Sequence, residues 1–294
     1  MATIIVLVGL PGSGKSDYAI EYMKTHVWDN GELNMWQICS PERTRMRLSC
    51  KQRQLDTPQV FKECYNEISA ALARNYNVIY DATNLTRKNR VPICELGKHH
   101  HIEAHVIWKP IDECVQEIAV RNPSAAQDTV MFACKKWQMP YYDEGFEAIH
   151  VVHNCVTHDV TTYKQTIMES LIVSQYSSRH SLNINEHCKL ASEYVARYTA
   201  DETLIEAARI HDCGKPLTRT FKENSSDASY YDHHSVGGYL CLGMYLTTDP
   251  ALVDIAWLVS SHMEPYFKNS WYKNIPEKYQ RKIELLHAGD RFAH

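Results

Sequence analysis

The stretch Gly9–Ser16, GLPGSGKS, constrains this chain most tightly. It meets the pattern G-x-x-x-x-G-K-[ST] at every fixed position, and such a loop works only between a strand and a helix. Both flanks comply. Thr3–Val8, TIIVLV, is short, apolar and rich in β-branched residues, as a buried parallel strand requires. DYAIEYMK after Ser16 favours a helix. The glycines let backbone N–H groups close around phosphate oxygens, and the helix N-terminus adds partial positive charge. Gly9, Gly12, Ser13, Gly14, Lys15 and Ser16 are therefore candidate ATP-binding residues. Lys15 is expected to reach the β- and γ-phosphates and Ser16 to bind Mg²⁺.

The bulk composition narrows the class. At 294 residues the chain holds one large or two ordinary domains. Its 44% hydrophobic and 22% charged residues are those of a soluble globular protein, and no apolar run nears the length of a membrane span. Val8 runs directly into the glycine loop, so the N-terminus reads as a strand and not as a leader peptide. Ten scattered cysteines without a CxxC pair, beside a nucleotide motif, point to a reduced cytoplasmic setting. A net charge of −4 argues against a protein that coats long nucleic acid, but permits one that grips a strand end through a local basic patch.

Further strands are expected at Asn34–Ile38, Asn77–Asp81, Ala104–Trp108 and Ile149–Val152, with helices at Thr57–Arg74 and Ile111–Val120. Between Arg43 and Arg53 five basic residues (Arg43, Arg45, Arg47, Lys51, Arg53) stand without an acid, a patch suited to an anionic acceptor. Glu42 and Arg45 share a helix face, so the carboxylate can take a proton from an acceptor hydroxyl while the arginine holds the adjacent phosphate. Asp81 ends a buried strand where a P-loop enzyme places a carboxylate near Mg²⁺, and Thr83, Asn84, Arg87 and Arg90 follow it. Arg121 and the segment NPSAAQDTV suit a mobile lid over the ATP phosphates. His99–His101 reads as a surface run with no obvious acidic or histidine partner.

GLPGSGKS, SPExxR at Ser40–Arg45, VIYDATN at Val78–Asn84, Arg121 and PYYDEGF at Pro140–Phe146 together resemble the kinase module of polynucleotide 5′-kinases. The resemblance covers about residues 1–155. It implies an α/β P-loop kinase domain using ATP and Mg²⁺, with Glu42 as general base, Arg121 as lid arginine, and Arg45, Asn84 and Arg87 on the acceptor. The family carries Asp where this chain carries Glu42.

After about Asn154 the strand pattern stops. Residues 156–177 are expected to form a helical connector, with a helix at Thr162–Gln175. Residues 178–294 read as all-helical, with helices at Asn185–Tyr198, from Asp201, at His234–Tyr245, Pro250–His262 and Pro276–His294. His187, His211-Asp212, His233-His234, His262 and Asp290 punctuate these helices and suggest a metal site between them. Mixed imidazole and carboxylate donors suit Mn, Fe, Co, Ni or Zn. The order H…HD…H…H…D, with HDCGKP at His211–Pro216 and SSHM at Ser260–Met263, resembles the HD superfamily of metal-dependent phosphohydrolases. That resemblance implies His187, His211, Asp212 and Asp290 on one metal, and His234 and His262 on a second in two-metal members, with His233 the lesser candidate of its pair. Lys215 is placed to touch a substrate phosphate, and His180 is a candidate for the same task.

One half adds phosphate and the other removes it, which makes sense when the targets differ. The combination resembles bifunctional end-healing enzymes. They phosphorylate 5′-hydroxyl ends and clear 2′,3′-cyclic, 2′- or 3′-phosphates from RNA or DNA strands, leaving ends for a separate ligase. The alternative is a small-molecule nucleoside or nucleotide kinase fused to a nucleotide phosphohydrolase.

Overall fold

The computed structural model describes all residues except 30–31, 50–56, 156, 177–180, 224, 268 and 294. Lys51, Arg53 and His180, named above, lie outside the described residues. The chain divides into two units: Met1–Val130 with Pro140–Asn154, and Met131–Met139 with Cys155–His294. The stretch expected as a separate connector thus belongs to the second unit, and so does the short insert 131–139.

In the first unit the chain order is β1 (Thr3–Val8), α1 (Lys15–Thr25), the two-residue strands β2 (Trp28–Asp29) and β3 (Glu32–Leu33), then β4 (Trp36–Cys39), α2 (Pro41–Ser49), α3 (Thr57–Ala73), β5 (Asn77–Tyr80), α4 (Arg87–Gly97), β6 (His101–Trp108), α5 (Ile111–Ala119), α6 (Ala126–Cys134) and β7 (Ala148–His153). The main sheet is parallel, in the order β4-β5-β1-β6-β7. β1 lies at its centre, which is why all of Ile4–Val8 is buried and why its sequence has no polar alternation. On one face Ile5, Leu7 and Ile79 pack against Ala19, Tyr22 and Met23 of α1. Every crossover brings the chain back at the same end of the sheet. The loops after β1, β4, β5 and β6 therefore gather at the strands' carboxyl ends, where open α/β sheets bind ligands.

The two-residue strands β2 and β3 and the helices α4 and α6 were not expected. The segment expected as a lid is a short 3₁₀ turn, Pro123–Ala125, that runs into α6. An unexpected helix, α4, follows β5 and carries Pro92 in its interior, a residue that removes one helical hydrogen bond and hides the helix from sequence reading.

The second unit contains α7 (Val160–Ser170), α8 (Ile184–Ala196), α9 (Glu202–Ile210), α10 (Lys215–Thr218), β8 (Thr220–Phe221), β9 (Ala228–Ser229), α11 (His233–Cys241), α12 (Leu252–Ser261), α13 (Glu264–Phe267), α14 (Ser270–Asn274) and α15 (Glu277–Phe292). The small antiparallel hairpin β8–β9 departs from the all-helical expectation. Asn183 caps α8 through a capping box with Glu186, and Asp201 caps α9. Helix α8 packs on α9 and α15, and α12 packs on α9 and α11. α11 and α12 are buried on all sides, so the unit has a true helical core. Among the described residues no helix is long and apolar enough to cross a membrane.

Candidate active sites

The glycine loop leaves β1 and enters α1 at Gly14. Gly12 and Gly14 have φ of 83° and 82°, the left-handed region that side chains avoid. The loop is braced from outside: Asn154 Nδ2 donates to Ser13 O at 2.8 Å, and Gly9 N donates to Thr83 O at 3.1 Å. Lys15 Nζ donates to Leu10 O at 2.8 Å, which holds the ammonium over the loop. Burial pushes its pKa down to about 8, against the opposing pull of the Asp81 carboxylate. Ser16 Oγ donates to Asp81 Oδ2 at 2.7 Å, so the hydroxyl and carboxylate expected to share Mg²⁺ are in contact. Ser13 Oγ is buried without a hydrogen-bond partner among the described residues. An orphaned hydroxyl within a glycine loop fits a phosphate oxygen.

The remaining residues expected in this unit fall into two sets. Glu42 and Arg45 lie exposed on one side of α2, just beyond the end of β4. Arg47 of the basic run is instead paired with Glu63 and Glu67 of α3. Asn84 and Arg87, expected on the acceptor, hold protein groups. Asn84 is buried at φ 47° with Nδ2 on Leu7 O at 2.8 Å, and Arg87 pairs with Asp143 at 2.7 Å. Next to them the fully buried Arg90 forks onto Glu144 at 2.8 and 2.7 Å and donates to Asn84 O at 2.9 Å. DATN and YYDEG are thus fastened together as a wall of the site. Arg121 is exposed in the turn after α5.

In the second unit four expected ligands converge. His187, His211, Asp212 and Asp290 come from α8, the end of α9, the turn after it, and α15. His187 Nε2 lies 3.0 Å from Asp290 Oδ1, 3.4 Å from Asp212 Oδ2 and 3.3 Å from His211 Nε2. His211 Nε2 is 3.4 Å from each of the same two oxygens. A second group joins Asp212 through its other oxygen: His233 Nε2 is 3.1 Å from Asp212 Oδ1 and 3.1 Å from His262 Nε2.

The tautomers follow from the backbone. Nδ1 of His187, His211, His233 and His262 faces the carbonyls of Ala293, Ala208, Tyr230 and Val259 at 2.7–3.0 Å. A carbonyl only accepts, so each Nδ1 carries a proton, which leaves each Nε2 facing inward as the potential ligand atom. Two ring nitrogens at 3.1–3.3 Å need either a shared proton or a metal ion between them. Donors about 2.0–2.2 Å from a transition metal stand about 3–3.5 Å apart, so the spacing fits such an ion. The carboxylates are held ionised. At Asp212 burial is outweighed by Lys215 and His211, leaving its pKa well below the usual range. At Asp290 burial is outweighed by hydrogen bonds from His187 and His211. Lys215 Nζ sits 2.6 Å from Asp212 Oδ2 and 2.9 Å from Gln175 Oε1.

The pair His233-His234 is resolved against expectation. His233 joins the cluster, whereas His234 stands outside both groups, its ring against Phe267. Adjacent residues on a helix point about 100° apart, so only one of them can face Asp212. Asp232, at φ 62°, sets that phase from the N-cap. Sequence reasoning also missed the bracing Asn154, whose one signal was its place just past the last strand. His101, read as partnerless, bridges Glu103 at 2.6 Å and Glu147 at 2.8 Å.

The first unit, with its parallel five-stranded sheet, flanking helices and glycine loop at the end of the central strand, has the architecture of P-loop nucleotide-binding domains. Residues 4–143 match the family described as AAA domain. A protein of Acanthamoeba polyphaga mimivirus, named as a candidate bifunctional polynucleotide phosphatase/kinase, is 26% identical over 160 residues. That match covers 51% of this chain and spans only 32% of the relative's length. Among solved structures, a chain of the Pnkp1/Rnl/Hen1 RNA repair complex is 23% identical, with a TM-score of 0.35 over 47% of this chain and 46% of that one. A candidate kinase of Chloroflexus aurantiacus is 12% identical, with a TM-score of 0.42 over 58% of this chain and 96% of that one.

Proposed function

We propose that this chain heals nucleic acid ends, RNA in the first instance: it phosphorylates 5′-hydroxyl ends with ATP and removes 2′,3′-cyclic, 2′- or 3′-phosphates. The observation that carries the proposal is the presence in one chain of two unlike phosphate chemistries. One is a glycine loop with Lys15, Ser16 and Asp81 in contact. The other is a buried cluster of four imidazoles and two carboxylates in a mostly helical unit. The mimivirus relative, whose name joins a polynucleotide phosphatase and a kinase, supports the same reading.

In the first unit Lys15 offsets charge on the transferred phosphoryl group while the loop N–H groups fix its orientation. Glu42 accepts the proton of the 5′-hydroxyl, Arg45 holds the neighbouring phosphate, and Arg121 approaches from the turn after α5. In the second unit His187, His211, Asp212 and Asp290 would hold one transition-metal ion of the Mn, Fe, Co, Ni or Zn type, and His233, His262 and Asp212 a second. Such an ion supplies Lewis acidity toward the phosphoryl oxygens and acidifies water near neutral pH. Lys215 adds a cation at the rim of the cluster, and the buried imidazoles keep Asp212 and Asp290 ionised throughout. The product, a 5′-phosphate and a 3′-hydroxyl, is the substrate of a ligase.

The test uses two substrates with the full chain: a 5′-hydroxyl oligonucleotide with ATP–Mg²⁺, and a 2′,3′-cyclic-phosphate oligonucleotide with Mn²⁺, Co²⁺ or Ni²⁺. Lys15→Ala is expected to abolish only the first reaction and Asp212→Ala only the second. Inactivity of the wild type on both rejects the proposal. Activity on free nucleosides and nucleotides alone transfers the assignment to nucleotide metabolism.

A further inference from the structure

Beside the histidine–carboxylate cluster lies a group of exposed aromatic and cationic side chains with no part in holding metal. Tyr176 and Phe221 are 41% and 51% exposed, with ring centroids 5.3 Å apart at 77°. The Arg219 guanidinium lies 5.1 Å from the centre of the Tyr176 ring and 5.6 Å from that of Phe221. Arg219 is exposed, and among the described residues no carboxylate pairs with it. Large rings left in water beside an uncompensated cation are the composition of a surface that stacks bases and attracts a phosphate backbone.

Two further observations tie this group to the cluster. The first is connectivity. Asp212 contacts Lys215, and Lys215 Nζ accepts a place between Asp212 and the side chain of Gln175, the residue before Tyr176. Tyr230 closes the link: its hydroxyl donates to Gln175 O, and its ring lies 5.6 Å from Lys215 Nζ. The second is backbone strain. Tyr176 has φ of 45°, a conformation costly for a bulky residue, which persists because its neighbours impose it. Ala228 N of the β8–β9 hairpin donates to Tyr176 O at 2.7 Å, and Tyr176 N donates to Ser174 Oγ at 3.1 Å. A residue serving only as filler would be glycine or asparagine at such a position.

We propose that Tyr176 and Phe221 form a stacking platform for the base of the 3′-terminal nucleotide, with Arg219 holding the preceding phosphate. The inference rests on the hydrolytic reading of the cluster and adds its substrate class: a single-stranded end bearing a base, in preference to a bare phosphoester. Lys215 marks the inner end of the path and Arg219 the outer end. The unpaired strand lies across the β8–β9 hairpin, its terminal phosphate directed at Asp212.

The test compares hydrolysis by the Mn²⁺-loaded full chain of three substrates: a tetranucleotide with a 2′,3′-cyclic phosphate, a tetramer whose 3′-terminal residue is abasic and bears a 3′-phosphate, and bis(p-nitrophenyl) phosphate. Tyr176→Gly removes the ring while suiting the left-handed backbone, so misfolding does not confuse the result. Tyr176→Gly and Phe221→Ala are expected to raise KM for the tetranucleotide about tenfold, leaving bis(p-nitrophenyl) phosphate turnover unchanged. Tyr176→Phe is expected to keep the wild-type KM. Arg219→Gln is expected to weaken binding and lower the salt slope by about one. The abasic substrate is expected to match the ring-less variants on wild-type protein. Wild-type KM in the ring-less variants, or an abasic end bound as tightly as a base-bearing one, overturns the platform while leaving the hydrolytic reading intact. Failure to hydrolyse bis(p-nitrophenyl) phosphate and the tetranucleotide with every metal overturns both.

Discussion

Single side chains decide the chemistry of each unit, and their contacts allow two expectations. His233 faces Asp212 Oδ1 at 3.1 Å, while its neighbour His234 lies against Phe267. His233→Ala should therefore lower metal content and cyclic-phosphate hydrolysis by at least about tenfold, and His234→Ala by much less, as read by elemental analysis beside initial rates. Lys15 gives a pH dependence. Burial lowers its pKa to about 8, so the free protein loses the ammonium as pH rises through that value. Bound phosphates restore the proton. Hence kcat/KM for ATP should fall above pH 8 while kcat holds to higher pH, because the first reports the free protein and the second the complex. At this scale the sequence was informative where a motif fixes spacing, as at Gly9–Ser16 and His211-Asp212. It put Asn84 and Arg87 on the acceptor, whereas they hold Leu7 and Asp143, since neither a loop φ of 47° nor a partner such as Asp143 is written in local spacing.

Secondary elements carry these side chains, and the turn between α9 and α10 is the least forgiving of them. A Cβ on Gly214 would lie 2.1 Å from His233 O and 2.6 Å from Gly237 N, both backbone atoms that cannot step aside. Gly214→Ala should displace α11 and with it His233. The expected result is a loss of about 1–3 kcal/mol on denaturant unfolding and loss of hydrolysis, with ATP-dependent phosphorylation retained. Most elements were legible because buried strands and amphipathic helices write their period into the chain: β1, β5, α3, α8 and α9 fall within a few residues of expectation. The exceptions have physical causes. Pro92 masks α4, and strands of two residues, as in β8 and β9, are too short for an alternating pattern. The 3₁₀ turn and α6 occupy the expected lid segment, since Pro123 starts a helix as readily as it breaks one.

At the level of the whole molecule, each candidate site is drawn from one unit: the glycine loop from residues before Val130, the histidine–carboxylate cluster from residues after Cys155. Ligands should therefore stabilise the units separately. Calorimetry of the full chain is expected to resolve two transitions, one raised by ATP–Mg²⁺ and the other by Mn²⁺, each by about 2–3 kcal/mol at a hundredfold excess over Kd. A single transition moved equally by both ligands would contradict this independence.

The imidazoles of the second unit take their orientation from main-chain carbonyls, three of them located three residues earlier in the same turn: Ala208, Tyr230 and Val259. Ala208 and Val259 lie in the last turns of α9 and α12, where carbonyls lack intrahelical donors, so this part of the scaffold is assembled by folding itself. The receptacle is complete before any ion arrives. An ion bound there would exchange its hydration shell for donors already in place, and discrimination would rest on ionic radius and donor preference, with little give in the surrounding polypeptide. Backbone amide resonances of α9, α11 and α12 should accordingly stay nearly fixed on titration with a diamagnetic ion such as Zn²⁺, while the imidazole signals move.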